Sequence, residues 1–153
     1  QHLIHQLKYK GDIQIGFYLG ELMGKTMLSS SRFNSVDALI PLPLYADKEH
    51  KRGYNQAAII CNGISSVMNI PVLNGQVIRQ HATETQTRKH RTERWENVKG
   101  SFRIVNKNVL ANKHVLLVDD VVTTGATLEA CGNAVIQAEN VKLSIATLAY
   151  AAK

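Results

Sequence analysis

The chain has 153 residues, of which 44% are hydrophobic and 20% are charged, and its formal net charge is +6 at pH 7. This length predicts one domain with a sizeable core, and the composition excludes a chain that is disordered throughout. Its apolar runs are only a few residues long, so we expect no membrane-spanning helix. The excess of lysine and arginine favours anionic partners such as phosphates, nucleotides or nucleic acid, without selecting among them.

The sequence contains two cysteines, Cys61 and Cys131, and six histidines. Two cysteines this far apart form neither a disulfide framework nor a zinc ribbon, so we predict a reducing, cytoplasmic location. Both lie in stretches with helical periodicity, where cysteine behaves as a small buried hydrophobic residue. The histidines are scattered over separate elements, and the sequence therefore predicts no metal site built from protein side chains.

Predicted helices and strands alternate along the chain. Helical spacing covers residues 1–28, with a break near Gly11, and residues 54–68, with Asn69 as the stop. A charged loop precedes the second of these helices. Apolar runs predict strands at residues 36–44, 72–79, 101–105, 115–118 and 141–150, and a last helix from about residue 128 to residue 138. This alternation predicts a single α/β domain over residues 1–153, with a mostly parallel sheet flanked by helices.

A polar, mostly charged segment at residues 81–96 separates two of the predicted strands. It has no apolar face, and its basic residues outnumber its acidic ones. Because it offers little apolar surface for packing, we expect low local stability there.

The stretch with the clearest chemistry is VLLVDDVVTTGAT at residues 115–127. An apolar strand would deliver Asp119 and Asp120 to the carboxyl edge of a parallel sheet, where ligands bind. Adjacent carboxylates repel each other, and a cation or hydroxyl donors would satisfy them. Small and hydroxylated residues follow at the start of a helix that Thr127 would cap: Thr123, Thr124, Gly125, Ala126 and Thr127. Carboxylates for sugar hydroxyls beside backbone N–H groups for an anion predict a ribose 5-phosphate site.

Apolar strands that end in aspartate also occur in two other classes of protein, and the rest of the sequence excludes both. A P-loop NTPase requires the pattern GxxxxGK[ST], which the chain lacks. A response-regulator receiver domain requires most of its length after such a strand, and too little chain follows Asp120. The structural alternative that stays open is an acidic strand end before an ordinary capped helix.

Residues 115–127 resemble the phosphoribosyl pyrophosphate (PRPP) loop of type I phosphoribosyltransferases. Two further stretches resemble the ComF/GntX branch: IPLPL at 40–44 with KRGYNQ at 51–56, and a Q…R.ER..NV.G.F pattern from Gln86 to Phe102. Members of this branch usually carry an N-terminal four-cysteine zinc module, which this sequence lacks. We therefore expect the sequence to begin within a longer protein.

The resemblance implies the type I phosphoribosyltransferase fold, with residues 81–97 as a flexible hood. It implies that Asp119 and Asp120 hold the ribose hydroxyls of PRPP. Residues 123–127, termed the phosphate loop below, would wrap the 5-phosphate. Mg²⁺ would be the cofactor, coordinated mainly through PRPP itself, in keeping with its preference for phosphate oxygens and water.

The resemblance also assigns a pyrophosphate turn to residues 42–47. The residues expected to receive the leaving group there are Leu44, Tyr45 and Ala46. Asn55 and Gln56 would either orient this turn or cap the following helix, with a role in ligand binding as the alternative. The cations expected to neutralise charge on departing pyrophosphate are Arg52, Arg91 and Arg94, with solvated surface charges as the alternative.

The first functional hypothesis is a Mg²⁺-dependent phosphoribosyltransferase that displaces pyrophosphate from PRPP with an unidentified acceptor. The second is a non-catalytic PRPP sensor or a DNA-associated competence factor that retains the PRPP loop, because ComF relatives are associated with natural competence. A transferase regulated through a DNA partner would combine the two. DNA or competence-machinery proteins are thus candidate partners, and type I relatives commonly form homodimers.

Overall fold

The computed structural model describes residues 13–80 and 101–151. The helices are α1 (Ile13–Leu28), α2 (Ala46–Arg52), α3 (Gln56–Met68), α4 (Lys107–Leu110) and α5 (Ala126–Val135), with a 3-10 turn at Ser31–Phe33. The strands are β1 (Ala38–Pro41), β2 (Val77–Arg79), β3 (Phe102–Ile104), β4 (His114–Val122) and β5 (Lys142–Tyr150). Over these residues, no helix combines the length and apolarity that crossing a bilayer requires. Residues 1–12 and the predicted hood lie outside the described residues.

A parallel sheet with the strand order β1-β4-β5 forms the centre of the fold. The central residues of β4, from Val115 to Val118, are fully buried, as expected of a parallel strand covered on both faces. One core cluster includes Leu110, Leu117 and Val135, and a second cluster joins α1 and α3 to the sheet. The predicted α/β architecture is confirmed. A separate antiparallel pair, β2 with β3, brackets residues 81–100.

Two predicted elements differ in type or continuity from those observed. The strand predicted at 72–79 is interrupted, because Gly75 adopts a left-handed conformation with φ of 71°, and regular pairing begins only at Val77. The charged stretch after β1, predicted as a loop, forms the short helix α2. Asp47 and Glu49 lie in its first turn and Lys51 and Arg52 in its last, which complements the helix dipole. Gly53 ends the helix with φ of 80°.

The helix predicted at 54–68 is confirmed as α3, and Asn69 ends it in a left-handed conformation with φ of 55°. Both cysteines are buried in helices, as predicted: Cys61 in α3 and Cys131 in α5. Burial raises the pKa of the Cys61 thiol far above its ordinary value. Each thiol therefore stays protonated and acts as part of the core.

His114 joins the strands at the amino end of the sheet. Its ring hydrogen-bonds to Ser35 Oγ at Nδ1 and to Ser144 Oγ at Nε2, both at 2.8 Å. Its backbone N–H donates to Asp37 Oδ2 at 2.7 Å. Burial and the positive charge of Lys142 lower the pKa of this histidine below its ordinary value of 6.5, with opposing contributions from Ser35 and Asp37.

The pKa of His114 predicts how stability depends on pH. The unfolded chain binds a proton at this ring more readily than the folded protein does. The contribution of neutral His114 to the free energy of unfolding should therefore be complete above pH 6.5. It should fall as the pH decreases from that value toward the folded-state pKa. Urea unfolding between about pH 8 and about pH 5 measures this slope, and His114→Gln should reduce it. Equal slopes in the two proteins would contradict the assignment.

Candidate functional site

The two adjacent acids lie within β4, close to its carboxyl end. The strand predicted to end at Val118 continues to Val122, and Asp119 pairs with Thr147 of β5. Because successive side chains of a strand point to opposite faces, Asp119 is partly exposed and Asp120 is 8% exposed. Each carboxylate accepts a hydrogen bond at 2.8 Å from the next backbone N–H, at Asp120 and Val121 respectively. These bonds fix the orientation of both carboxylates.

The phosphate loop bends around a small cleft of about 50 Å³. The cleft is lined by Asp119 and by the residues from Val121 to Leu128. Its volume is several times the roughly 10–15 Å³ that holds one water, which leaves room for a small anion. The structure thus brings Asp119 together with all five residues of the predicted phosphate loop, whereas Asp120 lies outside the described lining of the cleft.

Helix α5 begins at the cleft. Its N-cap is Gly125, with φ of 80°. Thr127 lies in the first turn of the helix, so the predicted cap at Thr127 is wrong. The helix also begins at Ala126, two residues earlier than predicted. A glycine N-cap has no side chain to accept from the first backbone N–H groups, and Thr124 Oγ1 reaches Ala126 N only at 3.4 Å. These N–H groups and the helix dipole favour an anion in the cleft.

The pyrophosphate turn leaves β1 directly beside β4. Leu42 N donates to Val118 O at 2.8 Å, which ties the start of the turn to the central strand. Asn55 Nδ2 donates to Leu42 O at 3.0 Å, and Asn55 Oδ1 accepts from Ala57 N at 2.9 Å. The buried Asn55 therefore does both things expected of it: it caps α3 and orients the turn. Leu44, Tyr45 and Ala46 follow this anchor and lead into α2.

Of the three predicted catalytic cations, only Arg52 lies within the described residues. Arg52 ends α2, at the opposite end of that helix from Ala46, and its Nη1 donates to Gln56 Oε1 at 2.7 Å. This contact places Arg52 beside the start of α3. Arg91 and Arg94 lie outside the described residues.

Arg79, which was not among the predicted site residues, lies beside the pyrophosphate turn. Its guanidinium carbon lies 4.1 Å from the ring centroid of Tyr45 and 5.1 Å from that of Phe102. Burial raises the pKa of Cys131 in α5 to about 12, while the charge of Arg79 lowers it and that of Asp119 raises it. The charges of Arg79 and Asp119 thus both act on α5. The sequence did contain a signal for this residue, because Arg79 ends a predicted strand just before the charged segment.

Gly125 provides a direct test of the cleft. Gly125→Val should weaken binding of a ribose 5-phosphate ligand by tenfold or more, because a branched side chain at φ of 80° distorts the loop that carries the N–H donors. Calorimetric titration of ribose 5-phosphate measures the loss. Gly53→Val is the matched control, since Gly53 has the same φ and nothing within 4 Å of an added Cβ. Wild-type affinity in Gly125→Val would contradict the assignment of the loop.

The model of the phosphoribosyl transferase domain matches residues 55–153. Competence protein F of Haemophilus influenzae is 36% identical over 130 residues, which are 82% of this chain and 57% of that protein. DNA utilization protein YhgH of Escherichia coli is 32% identical over 129 residues, 82% of this chain and 56% of that protein. The chain spans about half the length of the curated relatives it matches.

Two solved structures illustrate the similarity in fold, and both are named as enzymes. Glutamine PRPP amidotransferase from Bacillus subtilis has a TM-score of 0.56 at 16% identity, over 86% of this chain and 26% of that chain. Adenine phosphoribosyltransferase from Saccharomyces cerevisiae has a TM-score of 0.53 at 16% identity, over 92% of this chain and 69% of that chain. These identities establish the fold alone, which is the predicted type I phosphoribosyltransferase fold.

The family match covers α3, the antiparallel pair, two of the three strands of the parallel sheet (β4 and β5) and the cleft, and so includes the motif that carried the resemblance. The curated relatives bear the names of competence and DNA utilization proteins, which agrees with the ComF branch identified from the sequence. The chain therefore belongs to the phosphoribosyltransferase family, and within it to the ComF group.

Proposed function

We propose that this protein binds PRPP and transfers its ribose 5-phosphate to an acceptor, releasing pyrophosphate. The observation that carries the proposal is the cleft in which Asp119 faces the phosphate loop at the start of α5. A carboxylate accepts hydrogen bonds from sugar hydroxyls, and a helix N-terminus binds a phosphate. Asp119 and the phosphate loop lie close together, just as a ribose and its own 5-phosphate lie close together in a ligand.

The pyrophosphate turn supplies the second half of the proposal. It leaves the strand beside β4, so a ligand whose phosphate occupies the cleft would extend its other substituent toward the neighbouring strand end. Backbone groups held by Val118 and Asn55 keep this turn fixed before a ligand arrives. A turn that is held in one conformation needs little reorganisation to stabilise the negative charge that develops on a departing pyrophosphate. In this reaction the nucleophile belongs to the acceptor, so the protein's own part is to position the reactants and stabilise charge.

The side chains present fit a Mg²⁺ ion that arrives with the substrate. Within residues 13–80 and 101–151, no group of three or more histidine, cysteine, aspartate or glutamate side chains could enclose a metal. Asp119, at the edge of the cleft, offers hard carboxylate oxygens of the type that Mg²⁺ shares with substrate phosphates and water. When bound, the ion would neutralise charge on the pyrophosphate of PRPP. Asp119 would orient the ribose, and the phosphate loop would hold the 5-phosphate.

The proposed transfer is tested by measuring pyrophosphate release from PRPP and Mg²⁺ with a panel of purine and pyrimidine bases. One base should accelerate release well above the rate without any base, and that base identifies the acceptor. Asp119→Asn should abolish the acceleration. A folded protein that binds PRPP and releases no pyrophosphate with any acceptor would contradict transfer and favour a sensor.

A DNA-associated role is the second candidate. It is favoured by the net charge of +6 and by relatives named for competence and DNA utilization. Binding of a DNA duplex should then weaken steeply between about 50 and about 200 mM salt, because cationic side chains release counterions from phosphates. It should also survive Asp119→Asn. DNA binding lost with that substitution would instead indicate that DNA phosphate competes for the PRPP site.

A further inference from the structure

Arg79 lies at the end of β2 with its guanidinium between two aromatic rings. Its carbon is 4.1 Å from the ring centroid of Tyr45 and 5.1 Å from that of Phe102. Both distances are within the range in which a cation is attracted to the face of an aromatic ring, and a planar guanidinium suits such stacking better than an ammonium. The three side chains come from the pyrophosphate turn, β2 and β3, which meet only through folding.

The backbone reinforces this contact. Tyr45 and Arg79 form an isolated parallel bridge, so the main chain of the turn is paired with the end of β2. Tyr45 is also the N-cap of α2, and its carbonyl accepts from Lys48 N at 2.9 Å and from Glu49 N at 3.0 Å. A displacement of Tyr45 would therefore move the pyrophosphate turn and the start of α2 together.

The described residues do not satisfy all the hydrogen-bond donors of the Arg79 guanidinium. Its Nε is buried and has no hydrogen-bond partner among the described residues. Its positive charge acts on Cys131 in α5, as does the negative charge of Asp119. An arginine whose function was solely to close a salt bridge or cap a carbonyl would have its buried donor satisfied, because an unpaired buried donor is costly.

We infer that Arg79 is a positioning residue for the leaving group: stacked on Tyr45, it holds the pyrophosphate turn in the conformation that receives pyrophosphate. The inference rests on the proposed function, because it assigns a role within that same site. Arg79 acts through Tyr45 and is distinct from Arg52, Arg91 and Arg94, the cations that sequence analysis expected around the leaving group. This role also accounts for the position of Arg79 at the end of β2, where its guanidinium lies against two aromatic rings.

The experiment compares two ligands in one protein. Wild type, Arg79→Met, Arg79→Lys and Arg103→Met are each titrated with pyrophosphate plus Mg²⁺ and, separately, with ribose 5-phosphate. Methionine keeps the length and the apolar stem of arginine and removes the stacked cation. Arg103→Met is the matched control, because Arg103 lies on the partner strand β3, is exposed, and carries the same charge. Thermal unfolding of every variant shows that each is folded.

Arg79→Met should raise the Kd for pyrophosphate by about tenfold and leave the Kd for ribose 5-phosphate within about twofold of wild type. Arg79→Lys should recover only part of the loss, since an ammonium does not stack as a guanidinium does. Arg103→Met should match wild type with both ligands. This selective loss would separate positioning of the turn from general destabilisation.

Three results would overturn the inference, and they are distinguishable. Equal weakening of both ligands in Arg79→Met would indicate a purely structural role. Pyrophosphate affinity unchanged in Arg79→Met, in a protein whose wild type binds both ligands, would overturn the role of Arg79 and leave the proposed function standing. A folded wild type that binds neither ligand would overturn the proposed function and the inference together.

Discussion

Replacing Asp119 and Asp120 together by asparagine should lower the affinity for PRPP by about 100-fold or more, with the protein still folded. Charge-assisted hydrogen bonds contribute about 1.5–3 kcal/mol each, and every 1.4 kcal/mol is about tenfold in affinity. Asparagine keeps the Oδ1 that accepts from the next backbone N–H, so the local structure of β4 should persist. Calorimetric titration of PRPP with Mg²⁺ measures the loss, and circular dichroism establishes folding.

The single variants divide this effect between the two acids. Asp119 lines the cleft and is partly exposed, whereas Asp120 is 8% exposed and faces the other side of the sheet. Asp119→Asn should therefore carry the larger share of the loss. Glu139→Gln is the control, because Glu139 is exposed after α5 and the substitution makes the same change in charge. Unchanged PRPP affinity in the folded double variant would defeat the assignment of the ribose contacts.

Replacing Gly63 by alanine should destabilise the fold by about 3 kcal/mol, at the upper end of the usual range for overpacking. Helices α1 and α3 approach so closely there that an added Cβ would lie 2.1 Å from Phe17 O and 2.8 Å from both Glu21 N and Gly20 Cα. These are backbone atoms, which cannot rotate away as the end of a long side chain can. Urea unfolding measures the change in the free energy of unfolding.

The control for Gly63→Ala is Gly53→Ala. Gly53 has φ of 80° and open space around an added Cβ, so alanine there should cost only about 1 kcal/mol of backbone strain. A cost for Gly63→Ala no larger than that of Gly53→Ala would show that α1 and α3 separate easily. The packing of α1 on α3 would then not be a rigid part of the fold.

The sheet and the position of the cleft were predictable because their signals are local. A run of apolar residues that is buried on both faces, as at Val115–Val118, is typical of a central parallel strand. A helix-ending asparagine such as Asn69 and the capping Asn55 are read from residue type and position. The loop at residues 123–127 combines small and hydroxylated residues after a strand, and the cleft forms where that pattern placed it.

The features that were missed depend on contacts between distant residues. The end of β4 was placed too early, since its extension through Asp119 requires pairing with Thr147 of β5. The start of α5 was placed too late, because Gly125 was assigned to the loop and its role as N-cap was not anticipated. The stack of Arg79 on Tyr45 joins residues 34 positions apart in the numbering of the chain, and periodicity carries no information about it.

The most direct test of the central claim is a calorimetric titration of PRPP with Mg²⁺ into the wild-type protein, beside Gly125→Val. We expect saturable binding at one site per chain in wild type and a loss of tenfold or more in the variant, because the phosphate loop holds the 5-phosphate. A folded wild-type protein that binds no PRPP, or a variant that binds it as tightly as wild type, would contradict the claim.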